Sequence, residues 1–218
     1  RKMERGAHAE MNDLSTHNTG LWGGSVMAIP DQSENKEKAV EYWEQAKQEL
    51  GTDTVTFTLM YEDSESASNV AAFVQSEIET TLPGVTVEMQ SVPKKVRIEN
   101  MQNFDFDLVL HRWGSDYDDP NALLSLYTSD RFANSNYGKW VNEEYDALLD
   151  AAQNELALQP EERWQALIDA EAILMDEMGM IPLYQNGEAT LTRPGVTGMD
   201  YHFIGIEWIY RDLNKTSA

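Results

Sequence analysis

Two short stretches with a period of two, separated by a helical pattern, constrain the fold of this chain more than any other feature. Residues 54–59 alternate between threonine and an apolar side chain, and Val85, Val87 and Met89 alternate with polar neighbours. This period predicts two strands. Between them, apolar residues recur at helical spacing as far as Leu82, which predicts a helix. Because a helical crossover joins parallel strands, the order favours an α/β layer with a sheet that is at least partly parallel.

A further helix is predicted before this strand–helix–strand unit, and a crossover and a further strand are predicted after it. Asn35 is predicted to be the N-cap of a preceding helix, and Gly51 is predicted to end that helix in the left-handed conformation. After a short helical or irregular crossover at 93–100, the alternation of Phe106, Leu108 and Leu110 predicts a third strand.

The second half of the chain is predicted to be mainly helical. Asn142 has the character of an N-cap, and Pro160 suits the first turn of a further helix, which Gly179 is predicted to close. Ile181–Thr192 is predicted to be a strand with an irregularity at Gly187.

The charge and the cysteine count exclude several classes of function. The chain has 16 basic and 38 acidic side chains and a net charge of −22, whereas nucleic acid is bound by clustered Lys and Arg. We therefore expect no nucleic-acid partner. With no cysteine, disulfides, thiolate metal sites and cysteine nucleophiles are excluded.

Motifs for catalysis are absent from the sequence. The four histidines, at positions 8, 17, 111 and 202, lack the spacing of a zinc helix, and phosphate-binding, dinucleotide and nucleophile-elbow glycine patterns are missing. The sequence thus predicts no enzyme, no cofactor and no metal. A hydrolase using a pair of the many carboxylates remains the alternative from another class.

The segment Trp113–Pro120, directly after the third predicted strand, concentrates three carboxylates within four positions. One interpretation is a turn in which Asp118 and Asp119 bind backbone N–H groups before a helix that starts at Pro120. A calcium loop is a second interpretation, although the spacing departs from the twelve-residue pattern. The third is a ligand site at the carboxyl end of a strand, where Asp116 suits a cationic group.

Seven motifs occur in the order found in oligopeptide-binding proteins, and the chain resembles the family 5 extracellular solute-binding proteins of ABC importers, with most similarity to Gram-positive peptide and pheromone binders. The motifs cover most of residues 36–200 and lie at Tyr42–Gly51, Leu82–Val85, Phe104–Leu108, Trp113–Pro120, Asn142–Asp146, Glu161–Trp164 and Ile181–Tyr184.

The resemblance implies one lobe of a two-lobed protein with the type II periplasmic-binding-protein fold, in which helices flank a mixed, largely parallel sheet. Residues 1–34 would then be an irregular lead-in from the preceding lobe, residues 35–192 the peptide-binding lobe, and residues 193–218 a segment that returns to the missing first lobe. The full-length protein would be extracellular, held at the cell surface by an N-terminal lipid.

The resemblance also implies a function and a site. The chain would capture extended oligopeptides and deliver them to the ABC permease subunits; a dedicated pheromone receptor is the alternative within this class. Arg112, Trp113 and Gly114 would pair with the peptide main chain, with Ser115 beside them, and Asp116 would meet the peptide's α-ammonium group.

Overall fold

A parallel sheet forms the centre of the first half of the chain. The computed structural model of the protein describes residues 32–117, 119–132, 134–184, 191–202, 206 and 208–216. In it, β1 (Val55–Glu62) pairs in parallel with β2 (Val85–Val92) over eight residue pairs. β3 (Leu108–Val109) pairs in parallel with the other side of β1, so the strand order is β2-β1-β3. The predicted α/β fold with a parallel sheet is therefore confirmed.

The third strand is much shorter than the alternation predicted. Only Leu108 and Val109 pair with β1, and the N–H of Leu110 adds one bond of 2.8 Å to the carbonyl of Met60. Phe106 lies outside the strand. Alternation of apolar and polar residues indicates which face of a sheet each side chain lies on. It does not indicate over how many residues a neighbouring strand pairs with the segment.

Three helices accompany the sheet: α1 (Gln32–Leu50), α2 (Glu65–Thr81) and α3 (Lys94–Asn103). Gly51 has φ +66° and ends α1 as predicted. The N-cap predicted at Asn35 is wrong, because α1 begins three residues earlier and Asn35 lies inside it. A polar first turn carries no apolar period, so the period marks the buried part of a helix and not its start.

The sheet and α2 are joined through their side chains. Ala71 of α2 is fully buried in a cluster with Trp43, Leu59, Tyr61, Val85 and Val87. Two polar side chains of α2 also bind one residue of β2: Gln75 Nε2 donates to the carbonyl of Val87 over 2.7 Å, and the N–H of Val87 donates to Glu79 Oε1 over 2.9 Å.

The second half of the chain is helical, as predicted, with α4 (Asn121–Leu124), α5 (Glu143–Gln153) and α6 (Pro160–Asp176). Asn142 is the N-cap of α5, since its Oδ1 accepts the N–H of Tyr145 over 2.9 Å. Tyr145 is fully buried and donates its hydroxyl to the carbonyl of Leu124 over 2.5 Å. A second apolar cluster forms here from Leu124, Tyr145, Leu149, Ala152, Ala166, Leu167, Ala170, Leu174 and Met175.

The end of α6 differs from the prediction. Met178, not Gly179, takes the left-handed conformation, with φ +54°. Gly179 is instead needed for close packing, because a Cβ there would lie 2.6 Å from Leu174 Cδ1 and 2.8 Å from Trp140 Cδ2.

The strand predicted over Ile181–Thr192 is not seen in the residues that the structure describes. Residues 181–184 and 191–192 are in neither helix nor strand, and residues 185–190, with Gly187, lie outside the described residues. Two short antiparallel pairs follow: β4 (Val196–Thr197) with β7 (Asn214–Lys215), and β5 (Asp200–Tyr201) with β6 (Trp208–Ile209).

The described residues form two compact units. One contains the described residues up to Arg112 together with Asp130–Lys139, and the other contains Trp113–Ser129 and the described residues from Trp140 onwards. The predicted boundaries at 34 and 192 remain predictions. Within the described ranges, each helix is too short or too polar to cross a lipid bilayer.

Candidate functional site: the loop after the third strand

The five predicted binding residues lie together in the loop that follows β3. Arg112, Trp113, Gly114 and Asp116 are exposed, Ser115 is half-buried, and the loop has no regular secondary structure up to Ser115. Trp113 is 44% exposed, so it is not a core residue of the described chain. The loop therefore presents an aromatic face, backbone groups and a carboxylate at the carboxyl end of a parallel strand, which is where α/β sheets usually bind ligands.

Local contacts shape this loop without covering it. Ser115 Oγ donates to the carbonyl of Tyr117 over 2.6 Å, which turns the chain directly after Gly114. A Cβ placed on Gly114 would meet nothing within 4 Å, so the space beside its backbone is open.

Asp119 has the structural role that the turn interpretation predicted. Its Oδ1 accepts the backbone N–H of Asn121 over 2.9 Å, at the start of α4. It also forms an ion pair of 2.9 Å with Arg163, whose Nε donates to the carbonyl of Ala152. Asp118 lies outside the described residues. In the described part of the chain, no group of three or more His, Asp or Glu side chains could hold a metal ion.

A buried arginine lies beneath the start of the loop. Arg97, on α3, is 5% exposed. Its Nη1 is 2.8 Å from Nδ1 of His111 and its Nη2 is 3.3 Å from Oε2 of Glu62. Glu62 ends β1 and His111 comes just before Arg112. One guanidinium thus joins the carboxyl end of β1 to the first residues after β3.

The electrostatics of this bridge keep the imidazole neutral. His111 is exposed overall, but partial desolvation of its ring, together with the positive charge of Arg97, lowers its pKa from 6.5 to about 4. The ring of Tyr137 packs edge-on against the imidazole at 6.2 Å between centroids. Because Nδ1 faces a guanidinium, which can only donate, Nδ1 is the acceptor.

The reasoning from sequence missed this bridge. His111 was considered there only as a metal ligand, and neither Arg97 nor Glu62 was singled out. The three residues are separated by 14 and 35 positions, so no local spacing connects them. The available signal was the position of Glu62 and His111 at the ends of two parallel strands, which share one edge of the sheet.

Comparison with known proteins gives the class of this α/β fold, the type II periplasmic-binding-protein class, and the family of the chain. Residues 6–135 match the family model described as bacterial extracellular solute-binding proteins, family 5. The chain belongs to this family.

Similar proteins agree with this assignment. The dipeptide-binding protein of Lactococcus lactis is 32% identical over 186 residues, which are 84% of this chain and 34% of that protein. Among solved structures, the substrate-binding domain of an oligopeptide ABC transporter from Bacillus anthracis aligns with a TM-score of 0.76 at 30% identity, over 95% of this chain and 37% of that one. The Listeria monocytogenes protein OppA bound to peptide aligns with a TM-score of 0.71 at 30% identity, over 84% and 34%. The chain spans about a quarter to a third of the length of the curated relatives that it matches.

Proposed function

We propose that this chain is the peptide-binding lobe of the substrate-binding component of an ABC importer, which captures oligopeptides and delivers them to the permease subunits in the membrane. The observation that carries the proposal is the exposed loop Arg112–Asp116, which follows a parallel strand in a chain of the family 5 solute-binding proteins. The similar Listeria protein was solved bound to peptide, which supports peptides as the ligand class.

The loop suits recognition of peptides of many sequences. The main chain of Arg112, Trp113 and Gly114, with Ser115, would pair with the peptide backbone, and this pairing is independent of the ligand's side chains. The carboxylate of Asp116 would neutralise the α-ammonium group, and a charge-assisted hydrogen bond of this kind is stronger than a neutral one. Exposure of both features is what such contacts require.

The rest of the binding cleft would come from the first lobe. Residues 35–192 would form the lobe described above, residues 1–34 would lead in from the preceding lobe, and residues 193–218 would return to it. The protein would act outside the cytoplasmic membrane, anchored by an N-terminal lipid. The match to between a quarter and a third of each curated relative supports this architecture.

Calorimetry on the complete gene product tests the proposal. An equimolar mixture of random tetrapeptides with free termini should bind, and mass spectrometry of the same mixture after incubation should show the peptides intact. Cleaved products would instead favour the carboxylate-dependent hydrolase. A protein that binds no member of the mixture, but binds one hydrophobic peptide tightly, would favour the pheromone receptor over general uptake.

A further inference from the structure

The contacts of Arg97 connect the sheet to the predicted ligand-binding loop at a single point. Its two terminal nitrogens contact different partners, Glu62 at the end of β1 and His111 at the end of β3. His111 is covalently continuous with Arg112, the first predicted binding residue. A shift of His111 is therefore transmitted directly to the loop.

We propose that Arg97 is a positioning residue for ligand binding, which fixes the point where the loop Arg112–Asp116 leaves the sheet by bridging Glu62 and His111. The inference rests on the proposed function of that loop. Arg97 is almost fully buried and contacts His111, which precedes the loop in the chain, so it acts on the ligand only through His111.

The energetics favour a positioning role over a stabilising one. A guanidinium removed from water costs free energy unless all its donors are satisfied, and buried ion pairs are often no better for stability than apolar residues of similar size. Arg97 Nε has no hydrogen-bond partner in the described part of the chain, and Nη1 also contacts the thioether of Met101 at 3.4 Å, a weak acceptor. The donors of Arg97 are thus incompletely satisfied, so stability alone does not account for this charge, although Arg97→Met would leave Glu62 without this partner and should cost some stability.

Arginine is the side chain that this geometry requires. Its planar group presents two separate nitrogens in a fixed fork, whereas lysine presents one nitrogen on a flexible stem. The distances of 2.8 Å to His111 and 3.3 Å to Glu62 use one terminal nitrogen each. A lysine could hold one partner but not set the spacing of both.

The state of His111 provides a readout that belongs to this role alone. Groups in the described residues that face or back its imidazole include Arg97 from α3, Tyr137 from the segment Asp130–Lys139, and Glu62 from β1 behind Arg97. With Arg97 in place, the lowered pKa keeps His111 neutral at pH 5.5. Without Arg97 the effect of its charge disappears while desolvation remains, so the pKa of His111 should rise above about 4 but stay below its ordinary value. A larger fraction of His111 should then carry a positive charge at pH 5.5.

The test measures tetrapeptide binding by the complete gene product at pH 7.0 and pH 5.5, where the peptide α-amino group stays protonated. The wild type should bind equally well at both values, within about twofold. Arg97→Met should weaken binding about fivefold at pH 7.0, the usual effect of one lost hydrogen bond, and more strongly at pH 5.5, where a larger fraction of His111 is charged. Lys95→Met is the control: it removes an exposed charge from the same helix and should leave binding unchanged at both pH values.

A second substitution separates positioning from general damage. In the double variant with His111→Gln, which cannot titrate, the weaker binding of Arg97→Met should persist while its pH dependence disappears. If Arg97→Met does not fold, Arg97→Lys takes its place: it keeps a positive charge near His111 but not the fork, so it should weaken binding at pH 7.0 with little added loss at pH 5.5. Wild-type affinity of a folded variant at both pH values, or an equal loss at both in Arg97→Met, would overturn the proposal.

NMR titration of the histidines tests the bridge without any peptide. The imidazole of His111 should titrate near 4 in the wild type and at a higher pH in Arg97→Met, where only desolvation still lowers its pKa. If the two proteins differ in this way but the wild type binds no peptide, the proposed function is refuted and the bridge is supported. An unchanged titration in Arg97→Met would refute the bridge itself.

Discussion

At the scale of single residues, the proposed role of Asp116 leads to a specific prediction about how the α-ammonium group of the peptide is bound. If its carboxylate meets the α-ammonium group, Asp116→Asn in the complete gene product should weaken peptide binding by about 1.5–3 kcal/mol, or roughly 10- to 100-fold. N-acetylated peptides already lack this charge, so the substitution should affect them much less. Calorimetry with both peptide forms completes a double-mutant cycle, which isolates the direct interaction.

Asp119 is the matched control for Asp116. It lies three positions further along and has its own partners, the N–H of Asn121 and the guanidinium of Arg163. Asp119→Asn should therefore lower stability and leave the discrimination between free and acetylated peptides unchanged. If Asp116→Asn weakens both peptide forms equally, Asp116 only shapes the loop.

His111 predicts how stability depends on pH. Its pKa is about 4 in the folded chain and about 6.5 unfolded, so between these values the unfolded chain binds more protons. The stability contributed by neutral His111 is therefore complete above pH 6.5 and is lost as the pH falls towards 4. Urea unfolding across this range should show His111→Gln gaining stability relative to the wild type as the pH falls; a constant difference would contradict the lowered pKa.

The predicted site residues and the bridge differ in what sequence can reveal. Trp113 and Asp116 belong to a continuous motif after a strand, so one stretch of sequence indicates both of them. Arg97 is one charged residue on a largely polar helix, and its role depends on His111 and Glu62, which lie outside that helix. The spacing of residues in a sequence predicts contacts within one helix, strand or loop. It does not predict contacts that tertiary packing makes between distant segments.

At the scale of elements, the end of α6 predicts two opposite effects of small changes. Met178 has φ +54° and is 66% exposed. Its left-handed backbone is unfavourable for a residue with a Cβ, and its exposed side chain makes few contacts that could offset this. Met178→Gly should raise the free energy of unfolding by about 0.5–1 kcal/mol, after allowing for the greater freedom of glycine when unfolded. Denaturant unfolding of the 218-residue chain measures this change.

Gly179→Ala at the next position provides the contrast. Its new Cβ would approach the Trp140 ring at 2.8 Å, and a packed indole cannot move aside cheaply. We expect a loss of about 1–3 kcal/mol, typical of overpacking. Equal effects of the two substitutions would show that backbone conformation does not govern this helix end.

The elements show why some boundaries follow from sequence and others do not. Ser64 and Asn142 cap their helices through a side-chain oxygen, a local contact that residue type predicts directly. Gly179 was predicted to end α6 because glycine tolerates a left-handed backbone, but the packing against Trp140 uses its small size instead. Residue type shows what a position permits, and the neighbours decide which property is used.

At the scale of the whole molecule, the proposed two-lobed architecture predicts that this chain alone binds peptide poorly. With the other half of the cleft absent, the ligand main chain keeps its water and completes fewer hydrogen bonds, so less binding energy offsets the cost of association. The 218-residue chain should fold, as judged by circular dichroism, and calorimetry with the tetrapeptide mixture should give affinity weaker than about micromolar. Submicromolar binding would show that the site is complete within this chain.

The two polar contacts between α2 and Val87 bear on how copies of this chain meet one another. In the described residues β2 is an outer strand of the sheet, and an outer strand is a template on which a second chain can add. Gln75 and Glu79 occupy both backbone groups of Val87, at the third of its eight residues. A strand arriving from another molecule would have to displace both side chains before it could hydrogen-bond there. The helix that packs the core thereby also hinders the addition of a second chain at this point of the sheet edge.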